Sequence, residues 1–249
     1  MATVREIQAF LEERIPKSLS MPGDNDGFAL IPKGDKEVTK IVLALDVTLK
    51  SIEFAKKEGA ELIVAHHPTL FAPLYSVSDD NAVCRRVLAA AEAGIALAGY
   101  HTRLDAIEGG VNDTLCRLMG INVEDSFEGG LGRVGTLDAP CSFEEFGKRL
   151  SAVLGTQQIT GMNVGRPVHR IAVVGGSGKS SFYDAYNTGA DTFLTGEVAH
   201  STLLDGRDLN MNIICATHYH TEVVVLPSLK SMIEERFGDI EISVFYDNL

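Results

Sequence analysis

The feature that most constrains this chain is an alternation, repeated along most of its length, of short β-branched apolar runs with stretches of helical period. "KIVLALDVT" (40–48) is followed by "LKSIEFAKKEGA", which has helical periodicity and ends at Gly59, with Asp46 and Thr48 placed to cap it. "ELIVAHH" (61–67) comes next, so residues 40–67 read as a β-α-β unit with histidines at the carboxyl end of its second strand. "NAVCRRVLAAAEAG" (81–94) reads as a helix closed by Gly94, and "IALAGYHTRLD" (95–105) as a strand running into polar residues. This alternation predicts a sheet covered by helices.

"EGGVNDTLCRLMG" supplies a glycine turn, a cap at Asn112 or Asp113, and a short helix. A glycine-rich join, "EGGLGRVG" (128–135), then divides the chain near its middle, and "SFEEFGKRLSAVLG" (142–155) opens a second set of elements with Ser142 as its cap. Strands at 169–176, 191–197 and 211–218 with a helix at 180–190 complete a second α/β layer, and the tail reads as helix then strand. The expected fold is α/β, with two similar α/β domains, each a mixed sheet flanked by helices, and a metal site between them. The last strand is expected to return to the first sheet. The first domain is then discontinuous, 1–125 plus 222–249, and the second runs 126–221.

Charge narrows the partners. A formal charge of −12 repels a polyphosphate backbone, and no stripe gathers the 22 basic residues, so nucleic acid is not expected. The four cysteines (Cys84, Cys116, Cys141, Cys215) lie far apart without C-x-x-C spacing, as reduced core thiols do, and a reducing cytoplasm is expected. The opening "MATVREIQAFLEERIPKSLS" lacks the apolar core of an export signal, and no segment approaches the roughly 20 apolar residues of a membrane span.

The chemistry sits at strand ends. His66 and His67 would point to opposite faces inside a strand, but at its end, with Pro68 turning the chain, they can diverge around a cavity and each hold a different ion. "HTRLD" puts His101 and Asp105 at the end of the next strand, where an open α/β sheet gathers its ligand crevice. "THYHTE" puts His218 and Glu222 four residues apart at another strand-to-helix junction. Of seven histidines only His169 and His200 fall outside these groups. Imidazole plus carboxylate suits Zn, Fe, Mn, Co or Ni, and five such groups exceed what one ion with open positions needs.

His200 with Glu197 reads either as support for a ligand's orientation or as a helix-start cap. "VVGGSGKSS" (173–181) fails as a phosphate loop because Val173 stands where glycine is required; a tight strand-to-helix turn fits it better. No G-x-S-x-G elbow occurs, and Cys215 near His218 lies in an apolar strand, which disfavours covalent catalysis.

With these residues in view, the chain resembles the NIF-three-like dinuclear metal-centre proteins, also known as GTP cyclohydrolase 1 type 2 homologues. The resemblance rests on "DNDGF", "ALDVT", "GAELIVAHHP", "HTRLDAIEGGVND", "GGSGKS", "GADTFLTGEVAH" and "HYHTE" in that order. It implies a two-metal site on His66, His67, Asp105, His218 and Glu222, in two similar α/β domains that face each other across it within a toroidal homohexamer. Three positions depart from the family's pattern: Gly23 replaces a tryptophan, Arg103 an asparagine, and Thr217 a glycine.

Two ions roughly 3.5–4 Å apart can share a water and lower its pKa from about 15.7 towards about 7. Glu222 or Asp105 would bridge them, and His101 or His220 would be the candidate base, so His101 and Glu222 are the expected catalytic groups. One reading is a metal-dependent hydrolase working through this metal-bridged hydroxide on a small-molecule substrate; cyclohydrolase-like action on a purine nucleotide comes from the resemblance alone. Arg103, Lys179 and Arg133 would be the clamp for a triphosphate. The other reading is a non-catalytic metal-binding carrier or adaptor.

Overall fold

The computed structural model describes residues 2–247. The chain divides into two compact units, Met1–Leu104 with Leu226–Leu249, and Asp105–Val225.

In the first unit a two-stranded ribbon pairs β1 (Ala2–Thr3) with β3 (Glu37–Val38). Its main sheet takes β2 (Gly27–Leu30), β4 (Lys40–Ala44), β5 (Leu62–Ala65), β6 (Ala96–Gly99) and β13 (Glu241–Phe245), in the order β13-β4-β5-β6-β2. The first four in that order run parallel, while β2 runs antiparallel to β6. The C-terminal strand thus returns to the first sheet. Alternate residues of β4 and β5, Ile41 and Leu43 against Val42, Leu62 and Val64 against Ile63, are all fully buried. Both faces of the sheet are therefore covered, as near-continuous apolar runs of parallel strands require.

Helices α2 (Leu49–Glu58) and α3 (Ala82–Ala93) cover one face, with Ile52, Ala55 and Ala90 packed on Val42, Ile63 and Leu97. Helix α10 (Leu226–Arg236) packs against β4 and β13, and Phe237 just after it stacks edge-on with Phe10 of α1 (Val4–Arg14) at 5.3 Å. The caps follow the sequence reading in part. Thr48 closes a capping box with Ser51, and Gly59 and Gly94 terminate their helices, but Asp46 is used elsewhere.

The second unit is a six-stranded sheet in the order β7-β8-β10-β11-β12-β9. Its strands are β7 (Asn122–Phe127), β8 (Gly132–Cys141), β9 (Thr160–Met162), β10 (Val168–Ser177), β11 (Thr192–Glu197) and β12 (Asn212–Cys215). Here β10, β11 and β12 are parallel and the rest antiparallel, so both units are mixed sheets with a parallel centre. The glycine-rich stretch 128–135 is the turn between β7 and β8 and the start of β8. Phe182 and Ala185 of α7 (Phe182–Asn187), with Leu203 of α8 (His200–Asp208), pack on Val174, Phe193 and Ile213. Helices α5 (Val111–Met119) and α6 (Phe143–Leu154) contribute further buried residues, Leu115, Phe146 and Leu150, and α5 packs on β8 and β10. Ser142 caps α6 in a capping box with Glu145. Gly110, not Asn112 or Asp113, stands at the start of α5: Asn112 donates to Leu131 O and accepts from Gly175 N, and Asp113 pairs with Arg133.

Candidate metal centre

Parallel strands end on the same side of their sheet, and in the first unit three neighbouring ends carry polar residues. Asp46 follows β4, His66 and His67 follow β5, and His101 follows β6. The imidazole rings of His66, His67 and His101 lie together, with centroids 4.9, 5.4 and 5.5 Å apart, and one donor atom from each falls within 4.8 Å of the others. Gly99 makes this approach possible, because a Cβ there would stand 2.7 Å from His67 O and Pro68 Cα.

Each ring is held by its Nδ1. In His66, which is fully buried, Nδ1 donates to Tyr100 O at 3.1 Å; in His67 to Asp46 Oδ1 at 2.9 Å; in His101 to Asp24 Oδ2 at 2.9 Å. A carbonyl or carboxylate oxygen only accepts, so in each neutral ring the proton sits on Nδ1 and the lone pair on Nε2. That is the tautomer in which an imidazole serves as a metal ligand through Nε2. Asp46, expected to cap α2, is thus a partner of His67. Burial alone would raise the Asp24 carboxyl, but hydrogen bonds from His101 and Thr102 outweigh it and lower the group to about 2.

Asp105 is buried in the helical turn α4 (Thr102–Ala106) that begins right after His101.

In the second unit, helix α9 (His218–Glu222) follows β12 and carries the other donors. His218 Nε2 and Glu222 Oε2 are 3.1 Å apart, one helical turn from each other, and Glu222 is buried. His218 Nδ1 donates to Glu197 Oε1 at 3.0 Å at the end of β11, so Glu197 fills the orienting role, whereas His200 is exposed at the head of α8. The bed under α9 is made of glycine. A Cβ on Gly176 would collide with Glu222 Oε1 and stand 3.1 Å from His218 Nε2, and one on Gly196 would stand 2.8 Å from His218 Cα.

"GGSGKS" therefore gives clearance to the acid and base of α9. Its amides are occupied, Gly175 N by Asn112 Oδ1 at 2.7 Å and Gly176 N by Thr221 Oγ1 at 2.9 Å, which leaves these two no anion to cradle. Thr217, the N-cap, has φ +60° and ψ 148°, a conformation seldom adopted by a β-branched residue. Its Oγ1 bonds the His220 backbone N–H at 3.3 Å and the His220 ring at 2.6 Å. Burial lowers the His220 pKa.

Two of the expected phosphate contacts are tied into the fold. Arg103 is fully buried and donates to Glu12 at 2.7 Å and to Ile15 O at 2.7 Å, with Asp26 3.2 Å from its Nε. Arg133, also buried, pairs with Asp113 and donates to Ala106 O and Gly130 O. Lys179 is exposed. All four cysteines are free thiols; burial raises Cys116 to about 12 and Cys215 to about 11, so neither supplies a thiolate at neutral pH. Sequence reasoning left Asp24 and Asp46 out of the site, although both stand in motifs it had singled out, "DNDGF" and "ALDVT".

Neutral imidazoles with fixed Nε2 lone pairs, together with buried carboxylates, are a donor set that fits a divalent transition ion. Two mixed α/β sheets that present such groups at the ends of parallel strands define an α/β protein able to hold metal. Residues 2–248 match the DUF34/NIF3 family (NGG1p interacting factor 3), and the chain belongs to that family. It is 32% identical over 250 residues to the GTP cyclohydrolase 1 type 2 homolog of Clostridium perfringens, covering 97% of this chain and 95% of that protein. The homolog of the same description from Methanocaldococcus jannaschii is 32% identical over 241 residues, with 96% and 97% covered. Among solved structures, reduced HcgD from Methanocaldococcus jannaschii superposes with a TM-score of 0.86 at 31% identity, covering 98% of this chain and 97% of that one. Among the described residues, no helix is long and apolar enough to cross a membrane.

Proposed function

We propose that this chain is a dinuclear metal protein acting as a metal-dependent hydrolase on a small molecule. Its donors would be His66, His67 and His101 together with Asp105, His218 and Glu222. The observation that carries the reading is the Nδ1 anchoring of His66, His67 and His101, with donor atoms within 4.8 Å of one another. The names of the relatives, GTP cyclohydrolase 1 type 2 homologs, support hydrolytic chemistry.

Two bound divalent ions would supply Lewis acidity and a water acidic enough to ionise near neutral pH. The chain's own residues do the rest. Asp46 and Glu197 hold His67 and His218 in one tautomer. Glu222, buried beside His218, is the carboxylate best placed to move a proton at its Oε2. Homohexameric assembly belongs to the same proposal, as does a reducing cytoplasmic setting, which suits four free thiols.

A second reading, a non-catalytic metal carrier or adaptor, is favoured by the fate of Arg103 and Arg133: both guanidiniums are buried in fold-internal pairs, leaving Lys179 alone of the three cations expected to grip a triphosphate. Turnover separates the two. Protein loaded with a defined metal is assayed on a panel of nucleotides and phosphoesters beside Asp105→Asn. Hydrolysis that disappears with both metal and Asp105 supports the enzyme; stoichiometric metal with no turnover on any substrate supports the carrier.

A further inference from the structure

We propose that Asp24 is the positioning residue of the histidine cluster: by accepting the Nδ1 proton of His101 it fixes that ring's Nε2 as a metal donor beside His66 and His67. The inference rests on the metal-binding reading above and extends it to a loop far away in sequence.

Topology brings the loop to the site. Because β2 runs antiparallel to β6, with Gly27 opposite Gly99, the residues just before β2 lie at the edge where β6 ends and His101 begins. The three polar residues there take three different partners. Asp24 Oδ2 accepts from His101 Nδ1 at 2.9 Å, from Thr102 Oγ1 at 2.7 Å and from Thr102 N at 3.3 Å. Asn25 Nδ2 donates to Leu70 O at 2.5 Å, in the stretch that follows His67. Asp26 lies 3.2 Å from Arg103 Nε. Met21 N closes the arrangement by donating to Thr102 Oγ1 at 2.9 Å. The loop thus grips the chain after β5 and the chain after β6 together, fixing the third imidazole relative to the other two.

Asp24 also differs in kind from the other carboxylates that hold histidines. Its side chain is 3% exposed, against 41% for Asp46 and 60% for Glu197. A charge-assisted bond inside a low-dielectric pocket is stronger than one at the surface, and its loss is correspondingly more costly. Removing a carboxylate behind a ligating histidine typically costs about 10–100-fold in metal affinity.

The test is a double-mutant cycle on the full chain read by Co2+. Affinity is measured by competition with a chelator and coordination by the visible absorption of bound Co2+, for wild type, Asp24→Ala, His101→Ala and the double variant. Asp24→Ala is expected to weaken Co2+ by about 10–100-fold and change the spectrum, and to add no further loss once His101 is alanine. A purely structural loop would lose the same factor in both backgrounds, and that result overturns the proposal, as does native affinity in Asp24→Ala. If Asp24→Ala does not fold, Asp24→Asn, which keeps an acceptor of the same shape and removes the charge, is expected to lose severalfold affinity only while His101 is present. Wild-type protein that takes up no Co2+ sinks the metal reading and this one together; wild type that binds while Asp24 proves silent sinks this one alone.

Discussion

Thr217 and Gly176 show how single positions are strained or emptied so that α9 can present His218 and Glu222. Thr217 holds φ +60° while its hydroxyl caps the helix. Such strain costs of order 1–3 kcal/mol, whereas replacing a threonine cap by glycine loses only a few tenths. Thr217→Gly is therefore expected to stabilise the protein by about 1 kcal/mol, while Thr217→Ala, which keeps the strain and loses the cap, destabilises it by about 1 kcal/mol; urea unfolding midpoints check both. At Gly176, φ +63° and the collision with Glu222 act together. Gly176→Ala should destabilise by about 1–3 kcal/mol and reduce bound metal, read by unfolding and by elemental analysis. The glycines of "GGSGKS" were visible in the sequence as a turn that fails the phosphate-loop pattern. Their use as clearance was not, because it depends on Glu222, 46 positions further along, packing against them.

At the scale of elements, the local grammar was legible and the pairing was not. Thr48, Gly59, Gly94 and Ser142 act at helix ends as their residue types dictate, and the strands ending in His66–His67 and His101 lie where apolar runs put them. The short run "GFAL" gives no hint that it pairs antiparallel with β6, since cross-strand partners are not encoded in local periodicity; with that pairing hidden, Asp24 could not be placed. Asp46 carried two meanings, helix cap and histidine partner, and only the neighbouring strand decides between them. The turn α4 is anchored by Arg103, whose guanidinium meets Glu12, Asp26 and Ile15 O in a buried pocket. Arg103→Met takes the guanidinium away from Glu12, Ile15 O and the buried Asp26 side chain, which keeps Lys17 Nζ at 2.6 Å. The expected cost is about 1–3 kcal/mol, from the lost hydrogen bonds to Glu12 and Ile15 O and the lost pairing with Asp26, seen as a lower urea midpoint, and an unchanged midpoint would show that the guanidinium contributes nothing.

For the molecule as a whole, metal held by the folded chain alone would stabilise it by mass action. At free metal a hundredfold above its dissociation constant the gain is about 2.7 kcal/mol. For a chain of 249 residues that corresponds to roughly 5–10 °C in melting temperature. Chelator-treated protein should melt lower by that amount and recover on adding Co2+ or Zn2+, as scanning calorimetry would read. The donor types and their place at strand ends could be read from seven histidines and their neighbours, whereas the carboxylates and carbonyl that set each tautomer lie on other strands and emerge only with the fold. The central claim, that these imidazoles and carboxylates hold a pair of divalent ions, is tested most directly by counting metal per chain by elemental analysis after purification and reloading. The account predicts two transition ions per wild-type chain and a loss of occupancy in His67→Ala and Glu222→Ala; a wild-type chain that retains none, or variants that retain the full complement, would contradict it.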